Sequence, residues 1–256
     1  MKRKTASPKK NTKSSASNID KKVKNFIFFI LKSLMVAAIV FMVLSVSAVY
    51  TYKYVDPPFT LLMAKRKMKA LYLGNAHRIH YEFIPIHKMS VYMPLAVVAS
   101  EDQLFPHHNG FDIVSIAKAI EHNRHAKRKH GASTISQQVA KNVFLWDGKN
   151  FVRKVLEVYF TFLIENIWGK KRIMEVYLNV AEMGERIFGV EMCAQKLFHK
   201  KAKQLTESEC ALIAASLPNP MIFSADKPTK YMYKRQSWIV GQMHTLTLAY
   251  INEVVR

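Results

Sequence analysis

The strongest pattern in the chain is an uncharged run of twenty residues, Ser33 to Tyr52. As a helix rising about 1.5 Å per residue it spans roughly 30 Å, the hydrocarbon thickness of a bilayer. Lys32 stands at one end and Tyr50, Tyr52 and Tyr54 at the other. The Lys and Arg ahead of the run keep that end in the cytoplasm, and the tyrosines suit the far interface. A cleaved signal peptide fits less well, because the run exceeds an ordinary signal core and a long tail precedes it. We therefore expect a cytoplasmic tail over 1–32, a membrane helix over 33–54 and a body outside the cytoplasm. Residues 1–25 are Lys, Ser, Thr and Asn with little to bury, and read as a disordered basic tail.

Beyond Asp56-Pro57-Pro58 lies a membrane-proximal connector, 55–84. Within it, Phe59 to Leu73 mixes Leu62, Met63, Met68 and Leu71 with Lys65, Arg66, Lys67 and Lys69. Such a segment either rests on the outer leaflet or packs as a helix with a solvated basic face.

From residue 85 to 250 the periodicity is helical. Asp112 is placed to cap a helix carrying Ile113, Ile116, Ala117 and Ile120. Glu121 to His130, polar and basic, reads as a mobile loop. Gly131 turns the chain into a helix capped by Ser133 or Thr134. On its wheel Thr134, Gln138 and Lys141 fall within about 60° of one another, and Ile135, Val139 and Val143 occupy a separate arc. The start of that helix offers amides to an anion.

Trp146 to Asn150 is a turn. Helices follow over Phe151–Trp168, Ile173–Val180, Val190–Phe198, Cys210–Leu217 and Lys230–Leu248, with a loop at Gly184 and Gly189 and a capping box at Thr206 to Glu209. No strand-rich region is expected after residue 95, so the body is mostly α.

The net charge is +21, of which the first 32 residues hold +9 and the remainder +12. Both parts call for an anionic partner: nucleic acid, lipid headgroups or a phosphorylated substrate. A body outside the cytoplasm argues against nucleic acid. Cys193 and Cys210 lie in Ala-rich helical patterns and read as small buried residues, with a disulfide left open. The ten histidines show no metal-ligand spacing.

The candidate chemistry begins at Ala99-Ser100-Glu101-Asp102-Gln103-Leu104-Phe105-Pro106-His107-His108-Asn109-Gly110-Phe111-Asp112. Here a buried apolar run meets a loop rich in carboxylates and histidine. Glu101 is either a partly desolvated general base, or it and Asp102 merely cap helix ends. The stripe of Thr134, Gln138 and Lys141 is unlike a plain surface, which favours Glu and Lys. Arg153 and Glu157, four apart, have the poorer order for an intrahelical pair, which favours a site role.

With these residues in hand, the chain resembles the monofunctional biosynthetic peptidoglycan transglycosylases of glycosyltransferase family 51, and the transglycosylase half of bifunctional penicillin-binding proteins. The resemblance covers about 85–245. It rests on Glu101-Asp102…Phe105…His108…Gly110-Phe111-Asp112, on Gly131-Ala132-Ser133-Thr134-Ile135-Ser136-Gln137-Gln138 with Lys141-Asn142, on Arg153-Lys154…Glu157, and on Arg172-Ile173…Glu175…Tyr177-Leu178-Asn179.

It implies a lysozyme-like helical domain with head and jaw lobes, behind one transmembrane helix. It implies a polymerase joining disaccharides carried on undecaprenyl diphosphate to the 4-hydroxyl of lipid II with inversion. Glu101 matches the family's base. Glu157 matches a second carboxylate that either orients Arg153 or holds a divalent metal, Mg or Mn, near the diphosphate.

Lys141, Lys149, Arg153 and Lys154 would neutralise that diphosphate, with Ser133, Thr134, Gln137, Gln138 and Asn142 as neutral substrate-binding groups. Lys149 stands where some members carry Arg and gives a point charge in place of a bidentate grip. Asp102, Phe105 and His108 would shape the Glu101 segment. The expected partners are lipid II, the growing lipid-linked glycan, the inner-membrane bilayer, and cell-wall synthesis or division proteins, with no nucleic acid.

A lytic enzyme acting on the same glycan would need Glu101 but has no use for the cationic stripe. Ser224-Ala225-Asp226-Lys227 matches the Ser-x-x-Lys pattern of transpeptidases, but no Lys-Thr-Gly follows, so no such domain is expected.

Overall fold

The computed structural model describes residues 12–74, 78–125, 131–148 and 150–255. The backbone from Thr12 to Tyr54 is one helix, α1. Of this, Lys24–Tyr54 is long and apolar enough to cross a bilayer. The expectation of disorder over 1–25 is corrected for 12–25, and 1–11 lie outside the described residues. Having nothing to bury denies the tail a tertiary contact, but a helix already nucleated by the span extends through Lys, Ser and Asn at small cost per residue.

The chain divides into two compact units, Met1–Ala48 and Val49–Arg256. The second includes the last residues of α1 and the connector. Thr60 caps α2 (Leu61–Tyr72), whose Met63 and Ala70 are buried while Leu61, Met68, Leu71 and Tyr72 are exposed. The packed-helix reading therefore holds for one side, and the other side shows apolar residues among its lysines. Arg66 fastens it with a bidentate pair to the buried Glu182, at 2.8–3.1 Å.

The body is mostly helical. It comprises α3 (Tyr92–Glu101), α4 (Ile113–His125), α5 (Ile135–Phe144), α6 (Phe151–Ile167), α7 (Lys170–Val180), α8 (Val190–Phe198), α9 (Glu207–Ser216), α10 (Lys230–Tyr250) and α11 (Asn252–Val255). The polar stretch Glu121 to His125 continues α4, which corrects the expected loop; 126–130 are outside the described residues. The loop at Gly184 and Gly189 is a short hairpin. β2 (Glu182–Gly184) pairs antiparallel with β3 (Ile187–Phe188), and β1 (His80–Tyr81) joins β3 in parallel. Strands this short carry no alternation to read. Gly189, at φ +80°, is required there, since a Cβ would lie 2.5 Å from the Asn179 carbonyl oxygen.

Two helix groups frame the site. α3, buried from Met93 to Ala99, packs against α9 and α10, where alanines on α3 and α9 let backbones approach closely. α5 packs against α6 and α7. Asn179, Glu175 and Arg172 of the last motif are scaffold. Asn179 bonds both the N–H and the C=O of Ile84, and Glu175 accepts from Ile86 N at 2.9 Å. Arg172 donates to the carbonyls of Tyr52 and Val55 at the end of α1 and to Asp56. A cation on a helix's last carbonyls is favourable both as hydrogen bonding and against the dipole. Cys193 and Cys210 are free and buried; burial pushes the Cys193 thiol up and that of Cys210 up to about 12, so both are inert packing groups.

Candidate active site

Glu101 is the last residue of α3, where the buried helix ends, and the chain leaves it through Asp102 in a non-helical conformation. Asp102 is a cap, but for another helix. Its carboxylate accepts from Ile135 N, the first amide of α5, at 2.9 Å, and from His108 Nε2 at 2.9 Å. His108 Nδ1 accepts from Gly110 N at 3.0 Å, which places the ring proton on Nε2. Gly110 returns its carbonyl to the Thr134 hydroxyl at 2.7 Å. One closed set of hydrogen bonds thus ties the turn after Glu101 to the start of α5.

Gly110 sits at φ +89°, and a Cβ there would come within 2.8 Å of Thr161. Phe105 is fully buried under the turn, and Lys170 lies over its ring at 4.6 Å while donating to the His108 carbonyl and, at 2.8 Å, to Glu165.

Gln138, on α5, reaches Glu101 directly: its Nε2 donates to Glu101 Oε2 at 3.0 Å. Tyr177 donates its hydroxyl to Gln138 Oε1 at 3.3 Å, so the amide can present only its NH₂ to the carboxylate. Burial raises the Glu101 pKa above the ordinary carboxylate value, against the Gln138 hydrogen bond and the charges of Arg235 and Lys141. A carboxylate so placed takes up a proton closer to working pH than an exposed glutamate does.

The polar stripe of α5 proves shorter than its wheel implied. Thr134 is the N-cap with extended backbone angles, so the helical wheel does not apply to it. Its hydroxyl and the Gln137 side chain form a capping box. The amides of Thr134, Ile135 and Gln137 are all taken, which reduces the expected offer of amides to an anion. Ser133 is exposed at the cleft rim, and Gln138, Lys141 and Asn142 remain partly open.

Lys141 is pushed below its ordinary pKa by burial, with Glu157 opposing, and no hydrogen bond offsets its desolvation. Glu157 is buried, and both its oxygens are held, one by Arg153 at 2.7 Å and one by Lys154. Arg153 Nε is buried without a partner. Three cations therefore surround one carboxylate, leaving an excess of positive charge and an unmet donor, as an anion site requires. Lys149 lies outside the described residues.

The sequence matches the profile described as Transglycosylase over residues 67–244. It is 47% identical over 215 residues to the biosynthetic peptidoglycan transglycosylase of Mannheimia succiniciproducens, covering 84% of this chain and 88% of that protein. To the protein so named in Escherichia coli it is 52% identical over 191 residues, covering 74% and 79%. The chain belongs to the transglycosylase family.

In this transglycosylase, Glu101 opens onto a cleft of about 800 Å³ whose far wall is α10, through Arg235 and Trp238. Arg235 donates to the Ser100 carbonyl at 3.2 Å and lies 4.1 Å over the Trp238 ring. Neither residue was singled out in the sequence, nor were Lys170 and Tyr177 given site roles. Their periodicity marks them as helix positions, and nothing local says that α7 and α10 return to the end of α3. A divalent metal does not fit the donor set as it stands, because Glu157 spends both oxygens on cations. Among the described residues no group of three His, Cys, Asp or Glu side chains gathers as a ligand set.

Proposed function

We propose that this transglycosylase polymerises peptidoglycan glycan chains, taking lipid-linked disaccharides from an undecaprenyl diphosphate donor to the 4-hydroxyl of lipid II. The observation that carries this reading is the pairing of one oriented, partly desolvated carboxylate, Glu101, with a separate cation cluster. The acceptor hydroxyl attacks the anomeric carbon and its proton passes to Glu101. The carbon–oxygen bond to the diphosphate breaks, and the lipid diphosphate leaves with the electron pair while Lys141 and Arg153 neutralise it. Glu157 positions Arg153 and Lys154. Asp102, Phe105, His108, Thr134 and Gln137, being buried or committed, position the Glu101 turn and α5. One displacement without an enzyme nucleophile inverts the anomeric centre.

A lipid-tailed substrate places the site at a bilayer surface. The proposed topology is a single pass through the inner membrane, with the N-terminus cytoplasmic and the residues after Tyr54 on the periplasmic side. Phe151, Val152, Val155, Val158 and Phe162 leave one side of α6 apolar and exposed, which supports contact with lipid.

The experiment is to incubate the full chain with labelled lipid II in detergent, beside Glu101→Gln. Lysozyme-sensitive polymer from the first and none from the second is expected. Polymer from both removes Glu101 from the role of base, and shortening of pre-made glycan would favour a lytic enzyme.

A further inference from the structure

We propose that Trp238 is a saccharide-stacking residue that holds the glycan strand on one side of Glu101; this rests on the polymerase reading for the identity of the strand. The two ends of the site differ in chemistry. None of the cations Lys141, Arg153 and Lys154 lines the wide cleft, although the charge of Lys141 reaches Glu101. That wall carries Trp238, Leu104 and Val114, which are 44%, 43% and 56% exposed, among charged groups that include Glu101, Lys118 and Arg235.

A site that makes a glycosidic bond to a diphosphate donor needs cations for the diphosphate and apolar surface for the sugar rings, whose faces of C–H bonds pack on flat aromatic surfaces. The cleft volume of about 800 Å³ suits a ligand of disaccharide size or larger.

The indole is also held in place. Arg235 sits 4.1 Å over it and is itself pinned to the Ser100 carbonyl at 3.2 Å, immediately before Glu101. A rigid, half-exposed aromatic costs little entropy to engage, which is how such residues anchor binding sites. Its link through Arg235 to the residue next to Glu101 registers a stacked ring against the base.

The test uses the full chain in detergent, with Trp238→Ala and Trp238→Phe. Trp238→Ala is expected to raise KM for lipid II polymerisation about tenfold with kcat held within about twofold, the size of one lost aromatic contact, and to shorten the product chains; Trp238→Phe restores most of both. Lipid-free glycan strands are expected to shift the intrinsic tryptophan fluorescence of the wild type and not that of Trp238→Ala. Equal KM and chain length in Trp238→Ala, or a fluorescence shift that survives the substitution, overturns the proposal. The fluorescence titration needs no turnover. Glycan binding through Trp238 in a protein that makes no polymer would therefore retire the polymerase reading and leave this one standing.

Discussion

Gln138 Nε2 donates to Glu101 Oε2 at 3.0 Å, joining the end of α3 to the exposed face of α5. This is the one described hydrogen bond to the carboxylate, and it favours the ionised form while burial opposes it. With Glu101 as the proposed base, Gln138→Ala should therefore move the acid limb of the pH–rate profile to higher pH, since the carboxyl pKa rises further. Tyr177→Phe keeps the packing but frees the Gln138 amide; a loss of roughly three- to tenfold in kcat is expected from one missing hydrogen bond. Steady-state rates across pH check both.

Glu101 also carries a stability cost. Its folded pKa is raised, so the native state binds that proton more tightly than the unfolded chain, and stability falls as pH rises from the ordinary carboxylate value through the raised one. Glu101→Gln should melt at the same temperature as the wild type or higher at neutral pH. The difference should vanish as pH falls below the unfolded value. Melting curves at several pH values decide it, and a variant that is less stable at neutral pH contradicts the assignment.

Lys141 shows the opposite titration with the same consequence. Burial lowers its pKa, so its charge strains the folded state at neutral pH and the strain eases as pH rises through the lowered value. Lys141→Met is expected to hold or raise the melting temperature while polymerisation falls at least about a hundredfold, as for other groups that stabilise developing charge. Parallel loss of stability and rate would make Lys141 structural.

Gly110→Ala tests the turn itself. The new Cβ meets Thr161 and Glu165 at 2.8 and 2.9 Å in a backbone conformation that alanine resists. The expected cost is about 2 kcal/mol, or roughly 4–8 °C in melting temperature. Activity should fall further than stability, since the turn sets Glu101.

Phe151→Asp with Phe162→Asp alters two residues that are 83% and 60% exposed, so the fold should hold. The rate on lipid II embedded in vesicles should drop, and the rate on a short-tailed soluble analogue should not. Equal effects on both substrates would exclude a lipid-facing role for α6.

The apolar span, the helices and most of their caps were legible in the chain, because each depends on neighbours within one or two turns. Asn150, Thr206 and Thr229 cap helices close to where pattern alone put them. The hairpin at 182–188 was not legible, since its register depends on a bulge and on Gly189 meeting Asn179. Glu101, Lys141 and Arg153 were recognisable as candidate chemistry by residue type and spacing. The assignment of Asp102 to α5, of Thr134 to Gly110, and of Tyr177 and Gln138 to Glu101 was not, because those partners lie 24 to 39 residues apart.

Sequence by itself determined a basic chain with one membrane-length apolar helix, a helical body, and the carboxylate and cations a glycosyl transfer would use, because charge, periodicity and side-chain chemistry are local properties. Tertiary structure alone decided which of those groups face the cleft and which are consumed in holding it. It set Glu101 half-buried against Gln138, spent Thr134 and Gln137 on a cap, and brought Arg235 and Trp238 to the same opening. Burial and hydrogen-bond partnership arise only when distant elements pack, and they fix the protonation and reach of every group in the site.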